Sequence, residues 1–114
     1  MDISVGIDII EIKRIRKAVE RYGEKFLKRI FTATEIKNSP EKDRDKYYTL
    51  GFSFKESVWK TLPEKIQETV YFKDIEILWK NGLPILKMKK FHSTAFVLNF
   101  SSRTNLVITT AILF

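Results

Sequence analysis

Three side chains, Asp8, Glu56 and Lys60, are of the types and at the spacings that could do chemistry in this sequence. Asp8 sits in the run Val5-Gly6-Ile7-Asp8-Ile9-Ile10-Glu11. A carboxylate among aliphatic neighbours is costly to bury unless it is paired, hydrogen-bonded or bound to a metal. Simple strand alternation would instead leave Asp8 on an exposed face. Glu56 and Lys60 belong to Phe52-Ser53-Phe54-Lys55-Glu56-Ser57-Val58-Trp59-Lys60. Four residues apart on a helix, they face the same way. Taken alone, they read as an ordinary surface ion pair, worth roughly a few tenths of a kcal/mol. Together with Asp8 they suit a hard cation that holds phosphate. Magnesium takes oxygen ligands, keeps several waters, and needs only one or two carboxylates plus substrate phosphate. Asp8 and Glu56 would be those carboxylates, and Lys60 would add positive charge to the phosphate oxygens.

These residues must be positioned by a strand and a long helix. Ile3 to Ile9 reads as a buried strand. Gly6 inside it suggests a bulge or a close backbone approach. From Glu11 the period changes: Ile12, Ile15, Val19 and Tyr22 recur at helical spacing, and Gly23 is a natural C-cap. A short helical piece carries Phe26, Leu27 and Ile30. Thr32-Ala33-Thr34-Glu35 fits a capping box. After the breaker Asn38-Ser39-Pro40, Asp43 to Leu62 reads as the longest helix. Its apolar stripe is Tyr47, Leu50, Phe54, Val58 and Leu62, and Pro63 stops it. Gly51 lies in its middle. Strand-like runs over Asp74–Lys80 and Leu83–Met88 flank Asn81-Gly82, a hairpin signal. Thr94–Phe100 and Leu106–Phe114 are two more, joined by Ser101 to Asn105. Strand, helices, then antiparallel strands is an α+β order. It predicts an antiparallel sheet with a long helix and a basic N-terminal helix.

At 114 residues, the chain fits one domain over 1–114. A net charge of +7 points to an acidic or phosphorylated partner. Between Glu11 and Ile30, eight lysines and arginines face three glutamates, so most of the excess lies on the first helix and its extension. Such a run is commonly just a solvated face. Here it could also meet an acidic helix or a nucleic-acid backbone. It lacks the aromatic interleaving of single-strand binders, so a nucleic-acid partner is not expected. There is no cysteine, which excludes disulfides, thiol nucleophiles and zinc-thiolate sites. The N-terminus lacks a basic signal-peptide region and no apolar run approaches a membrane span. A cytoplasmic protein with no membrane partner is the expectation. His92 stands alone, Trp59 and Trp79 read as core or interface, and Ser101-Ser102 could cap a turn or bind phosphate. No P-loop, dinucleotide fingerprint or nucleophile elbow is present.

Two separated segments together resemble the holo-acyl-carrier-protein synthases, the short bacterial type of 4′-phosphopantetheinyl transferase. Gly6-Ile7-Asp8-Ile9-Ile10-Glu11-Ile12-Lys13-Arg14-Ile15 is close to the family's opening G-[IV]-D-[IL]-[VI]-E-I-x-R-[IF]. Phe52 to Lys60 is similar to its F-[SA]-x-K-E-[SA]-x-x-K. Arg21 to Thr32, Asp74-Ile75-Glu76 and Asn81-Gly82-Leu83-Pro84 follow the family in order.

The resemblance implies a single-unit phosphopantetheinyl transferase fold. It implies transfer of 4′-phosphopantetheine from coenzyme A to a serine of apo acyl carrier protein, with release of 3′,5′-ADP. Asp8 and Glu56 match the family's magnesium ligands, and Lys60 its phosphate-contacting lysine. Glu56, Lys60 and Asp8 are then catalytic, and Lys55, Lys60, Ser101 and Ser102 are placed at the coenzyme A site. Lys13, Arg14, Lys17 and Arg21 fall on the face that docks the acidic carrier protein. Family members of this length are typically homotrimers. Three departures stand out: Gly51 where a basic residue is usual, Thr61-Leu62-Pro63-Glu64 after the lysine in place of a glycine-containing loop, and Ser102 in place of histidine. All bear mainly on the nucleotide and its 3′-phosphate. A relative that binds the carrier without catalysis is the alternative, and a small basic nucleic-acid binder a more distant one.

Overall fold

The two ends of the chain meet in one sheet. In the computed structural model, which describes residues 2–93 and 95–114, strand β1 (Ser4–Glu11) pairs antiparallel with β5 (Leu106–Leu113). The other edge of β5 carries β4 (Phe96–Arg103), giving the order β1-β5-β4. A second, two-stranded sheet is the hairpin β2 (Ile75–Lys80) and β3 (Leu83–Met88). It turns at Asn81-Gly82, both in the left-handed region that this tight turn requires. Between β1 and the hairpin run helices α1 (Ile12–Tyr22), α2 (Glu24–Ile30), α3 (Ala33–Asn38), α4 (Arg44–Thr61) and α5 (Glu64–Gln67). The α+β class, the long helix and the basic first helix are as the sequence predicts. The strands form two sheets rather than one.

Helix α4 is the organising element. It packs against β1, β5 and β2, and buries Leu50, Phe54 and Val58 completely. Its apolar stripe divides the core. Leu50 joins Ile10, Ile12, Ile15, Phe31 and Val107 on one side. Phe54 and Val58 join Ile75, Ile77 and Ala111 on the other. Trp79 packs against both groups and meets Phe100 edge-to-face at 5.5 Å between ring centroids, which ties the hairpin to the larger sheet. Mid-helix Gly51 has a packing reason: a Cβ there would sit 3.1 Å from the Phe31 ring.

The expected buried strand is half right. In β1 the inward residues are Gly6, Asp8 and Ile10, while Val5, Ile7 and Ile9 point outward and are more than half exposed. The pattern is inverted, with a carboxylate inside and aliphatics outside. Gly6 explains the inward side. A Cβ built there would lie 1.9 Å from the Ser57 carbonyl oxygen, so only glycine lets β1 and α4 touch backbone to backbone.

Two boundaries also move. Strand β4 continues to Arg103, so Ser101 and Ser102 are strand residues and the connection shrinks to Thr104-Asn105. The predicted start at Thr94 lies outside the described residues. Asn105 in that turn caps α1: its carbonyl accepts the Ile12 N–H at 3.0 Å and its Oδ1 the Lys13 N–H at 3.0 Å. The Thr32–Glu35 capping box forms as predicted.

Replacing Gly6 by alanine should therefore force α4 off the sheet. We expect a loss of about 3 kcal/mol in chemical denaturation, the upper end for overpacked sites. A loss under about 0.5 kcal/mol, the range of neutral surface changes, would mean that the helix can step back freely.

Candidate active site

The close approach at Gly6 delivers Asp8, two residues along the same face, to α4. The Asp8 Oδ2 accepts a 2.9 Å hydrogen bond from the Ser53 hydroxyl. From about two turns further along the helix, Lys60 donates to the Ile7 carbonyl at 2.8 Å and reaches Asp8 Oδ1 at 3.5 Å. The Asp8 side chain is 15% exposed and that of Lys60 44%, so this pair sits at the protein surface, open to a ligand.

Glu56 lies between Ser53 and Lys60 on α4 and completes the group. Its carboxyl is pushed above the usual carboxylate range, first by burial and next by the negative charge of Asp8, while Lys60 and Arg14 pull it back. A second carboxylate whose charge disfavours the ionisation of Glu56 makes this a ready place for a cation. Among the described residues, no group of three or more His, Cys, Asp or Glu side chains converges. Two hard oxygen donors beside a lysine therefore fit magnesium, which shares its coordination with water and phosphate, better than a metal that needs an all-protein cage.

The resemblance puts Lys55 at the coenzyme A site, and in the structure it contributes to the cavity beside Glu56, but it is fully buried. Its ammonium donates to Glu35 Oε1 at 2.8 Å and to the carbonyls of Phe72 and Ile75. Three acceptors use all three of its N–H bonds, so none is left for a phosphate. Glu35 is equally committed: it also accepts the Thr32 N–H at 2.9 Å and the Ile77 N–H at 3.0 Å. Burial depresses the Lys55 ammonium against the attraction of Glu35. The pair clamps α3, β2 and the 3-10 turn Phe72–Asp74 to α4, and so fixes the helix from which Glu56 projects. One hint of this is legible in the sequence: the Glu35 of a capping box, and a lysine next to Phe54 of the apolar stripe of α4.

The serines divide. Ser101 is exposed on the outward face of the sheet. Ser102 lines a cavity of about 700 Å³ with Arg16, Arg44, Lys46 and Arg103, a cavity that Asp8, Glu56 and Lys60 do not share. Within one protomer neither serine joins the carboxylates. The first-helix residues do come near. Lys13, Arg14 and Lys17 line a groove of about 470 Å³ beside Ile9 and Leu106, and the charge of Arg14 is felt at Glu56. Arg21, further along α1, stacks over the Tyr22 ring. On the other side of Glu56 a cavity of about 390 Å³ is walled by Trp59, Val70, Tyr71, Phe72 and Ile75. Trp59 is held there by mutual hydrogen bonds with Gln67, indole N–H to carbonyl at 3.2 Å and amide to carbonyl at 3.0 Å.

A surface site of this make-up on an α+β fold defines a family. Residues 4–111 match the model of the 4′-phosphopantetheinyl transferase superfamily, and the chain belongs to that superfamily. Among its relatives, the holo-[acyl-carrier-protein] synthase of Lactobacillus johnsonii is 40% identical over 96 residues, 81% of this chain and 80% of the relative. That of Chloroherpeton thalassium is 42% identical over 90 residues, 77% of this chain and 74% of the relative. A Bacillus anthracis holo-(acyl-carrier-protein) synthase in complex with CoA (3′,5′-ADP) superposes with a TM-score of 0.79 at 29% identity, covering 96% of this chain and 94% of that one. The Helicobacter pylori synthase in complex with coenzyme A gives 0.81 at 28% identity, covering 96% and 99%. The chain is thus a phosphopantetheinyl transferase of the holo-acyl-carrier-protein synthase type.

Two outcomes follow from the electrostatics. Lys55→Met leaves Glu35 buried without its cation, and should cost about 3–5 kcal/mol of folding stability by chemical denaturation. A cost below about 1 kcal/mol, the range of surface pairs, would show the clamp to be dispensable. For Glu56, the folded state holds the proton more tightly than the unfolded chain. Its favourable contribution is present in acid, below the ordinary value of about 4.3, and is lost as pH rises through the raised value. In metal-free protein Glu56→Gln should therefore raise the melting temperature at pH 7, with the gain shrinking toward pH 4. A uniform gain at both pH values would show that ionisation is not its source.

Proposed function

We propose that the protein transfers 4′-phosphopantetheine from coenzyme A to a serine of an acidic apo acyl carrier protein and releases 3′,5′-ADP. The observation that carries this reading is the placing of Asp8, Glu56 and Lys60 together at an accessible seam between β1 and α4. Asp8 and Glu56 would hold magnesium, which would offset the charge of the pyrophosphate and of the leaving nucleotide. Lys60, tethered to the Ile7 carbonyl, keeps further N–H bonds for phosphate oxygens. The carrier serine oxygen forms a bond to the pantetheine-bearing phosphorus as the bond from that phosphorus to the bridging oxygen breaks. The serine proton passes to Glu56, whose raised affinity for protons suits it to accept one. The apolar cavity beside Glu56 offers a bed for the pantetheine arm.

The exposed cations Lys13, Arg14, Lys17 and Arg21 on α1 would meet the acidic carrier and orient it, an attraction that salt weakens. Arg14 joins that surface to Glu56. The outward face of the larger sheet is apolar, with Val5, Ile7, Ile9, Val97 and Ile108 exposed. This supports a homotrimer, in which a neighbour's Ser102 and its basic cavity could complete the nucleotide site. No helix is long and apolar enough to cross a membrane among the described residues. We place the enzyme in the cytoplasm as one domain.

Incubating apo carrier protein with this enzyme, coenzyme A and magnesium should add one phosphopantetheine group to the carrier, read as intact mass. Asp8→Asn and Glu56→Gln should each slow the reaction by about a hundredfold or more, in keeping with loss of a group that stabilises the transition state. Charge reversal at Arg14 and Arg21 should raise KM for the carrier more than for coenzyme A. No mass gain from a folded enzyme, with an active relative working in parallel, would leave a carrier-binding protein without catalysis.

A further inference from the structure

Behind the Asp8 carboxylate lie three hydroxyls that the reaction as described does not use. Ser53, Ser57 and Thr109 are all fully buried. Ser53 Oγ is 2.9 Å from Asp8 Oδ2 and 2.8 Å from Thr109 Oγ1. Thr109 Oγ1 is 3.1 Å from Ser57 Oγ, which is in turn 3.2 Å from the Phe54 carbonyl. The row spans three elements: β1 holds the carboxylate, α4 the two serines and β5 the threonine.

Counting protons orders this row. With the Ser53 hydroxyl also 3.5 Å from the Asp8 backbone carbonyl, five contacts are made, but three hydroxyls have only three protons. Ionised Asp8 can only accept, and a hydrogen bond to a charged acceptor is the strongest on offer, so the Ser53 proton goes to Asp8. Ser53 can then give nothing to Thr109. Their 2.8 Å contact, too short for two oxygens with no proton between them, takes the proton of Thr109. Ser57 donates to the Phe54 carbonyl, and Thr109 Oγ1 faces Ser57 Oγ as a donor too, so its proton is shared between the two serines, with the shorter contact to Ser53. Donation toward the site then runs Thr109 to Ser53 to Asp8. Thr109 sits opposite Asp8 in the β1–β5 register, so the strand pairing itself sets the chain's geometry.

We propose that Ser53 and Thr109 are positioning residues: a hydroxyl chain that fixes the Asp8 carboxylate, with Oδ2 engaged and Oδ1 turned toward Lys60 and the surface. The inference rests on the reading of Asp8 as a metal-holding carboxylate. A carboxylate held in one orientation pays less ordering cost when it takes up a cation, and outer-shell partners of this kind typically alter metal affinity by about 10–100-fold. Nothing in this role requires the hydroxyls to touch substrate.

The test is binding of Mn2+, as a paramagnetic stand-in for magnesium, to the full-length protein with coenzyme A present, read from the electron paramagnetic resonance of the free ion. Ser53→Ala and Thr109→Val, the latter keeping shape while removing the hydroxyl, should weaken Mn2+ by about tenfold. Thr109→Ser, which restores the donor but not the methyl group, should bring affinity back to within about twofold of the parent. Melting curves check that each variant is folded. If the parent binds Mn2+ and both hydroxyl-free variants bind it equally well, the donor chain has no positioning role. The same holds if Thr109→Ser and Thr109→Val weaken binding alike, because packing alone then matters. A parent that binds no Mn2+ removes the metal reading itself, and the chain's role with it.

Discussion

The contact between the backbones of β1 and α4 at Gly6 is what the rest of the site rests on. With any side chain at that position the helix would have to move outward. Asp8 would then lose Ser53, and Lys60 would lose the Ile7 carbonyl. Because the strand carries one carboxylate and the helix the other, their separation is set by how closely the two elements pack. A loop could not hold that spacing; two packed elements of regular structure can. The glycine makes this possible by having no Cβ, in a strand where glycine otherwise weakens the structure.

A second constraint acts along the helix rather than across it. Lys55 and Glu56 are adjacent, so their side chains leave α4 about 100° apart. One turns into the core to Glu35 and the carbonyls of Phe72 and Ile75; the other turns to the surface beside Asp8. A buried ion pair is no reliable gain in stability over apolar packing, because both charges must be stripped of water. Its contribution here is geometric. It ties three separate pieces of the chain to one helical position and so sets the rotation of α4, which decides where Glu56 points.

Much of this was readable in the sequence, for reasons that differ from residue to residue. The Asn81-Gly82 turn and the Thr32–Glu35 capping box are local and could be read directly. Gly6 could be read as a close approach, though not what it approaches. Asp8, Glu56 and Lys60 could be singled out because charge among aliphatics demands a partner, and they do come together. Lys55, next to a glutamate, looks solvent-facing; only the fold reveals that Glu35, twenty residues earlier, waits beneath it. The inverted alternation of β1 was hidden for a similar reason, since aliphatic residues suggest the inside and nothing local says that the core lies on the aspartate's side. That Ser53, inside the second motif, meets Thr109 could not be read, since the two are 56 residues apart and individually ordinary.

The pairing of β1 with β5 also has a bearing on how the molecule comes into being. Residues 4–11 are made nearly a hundred residues before residues 106–113, yet the two strands pair with each other. Contacts so distant in sequence form late, after the entropy of closing a long loop has been met. During synthesis the α4 helix and the hairpin can assemble while β1 still lacks the strand that holds it. Asp8 then gains its fixed surroundings only when Thr109 arrives. The enzyme's reactive corner is thus completed only after the helices and the hairpin that surround it have been made.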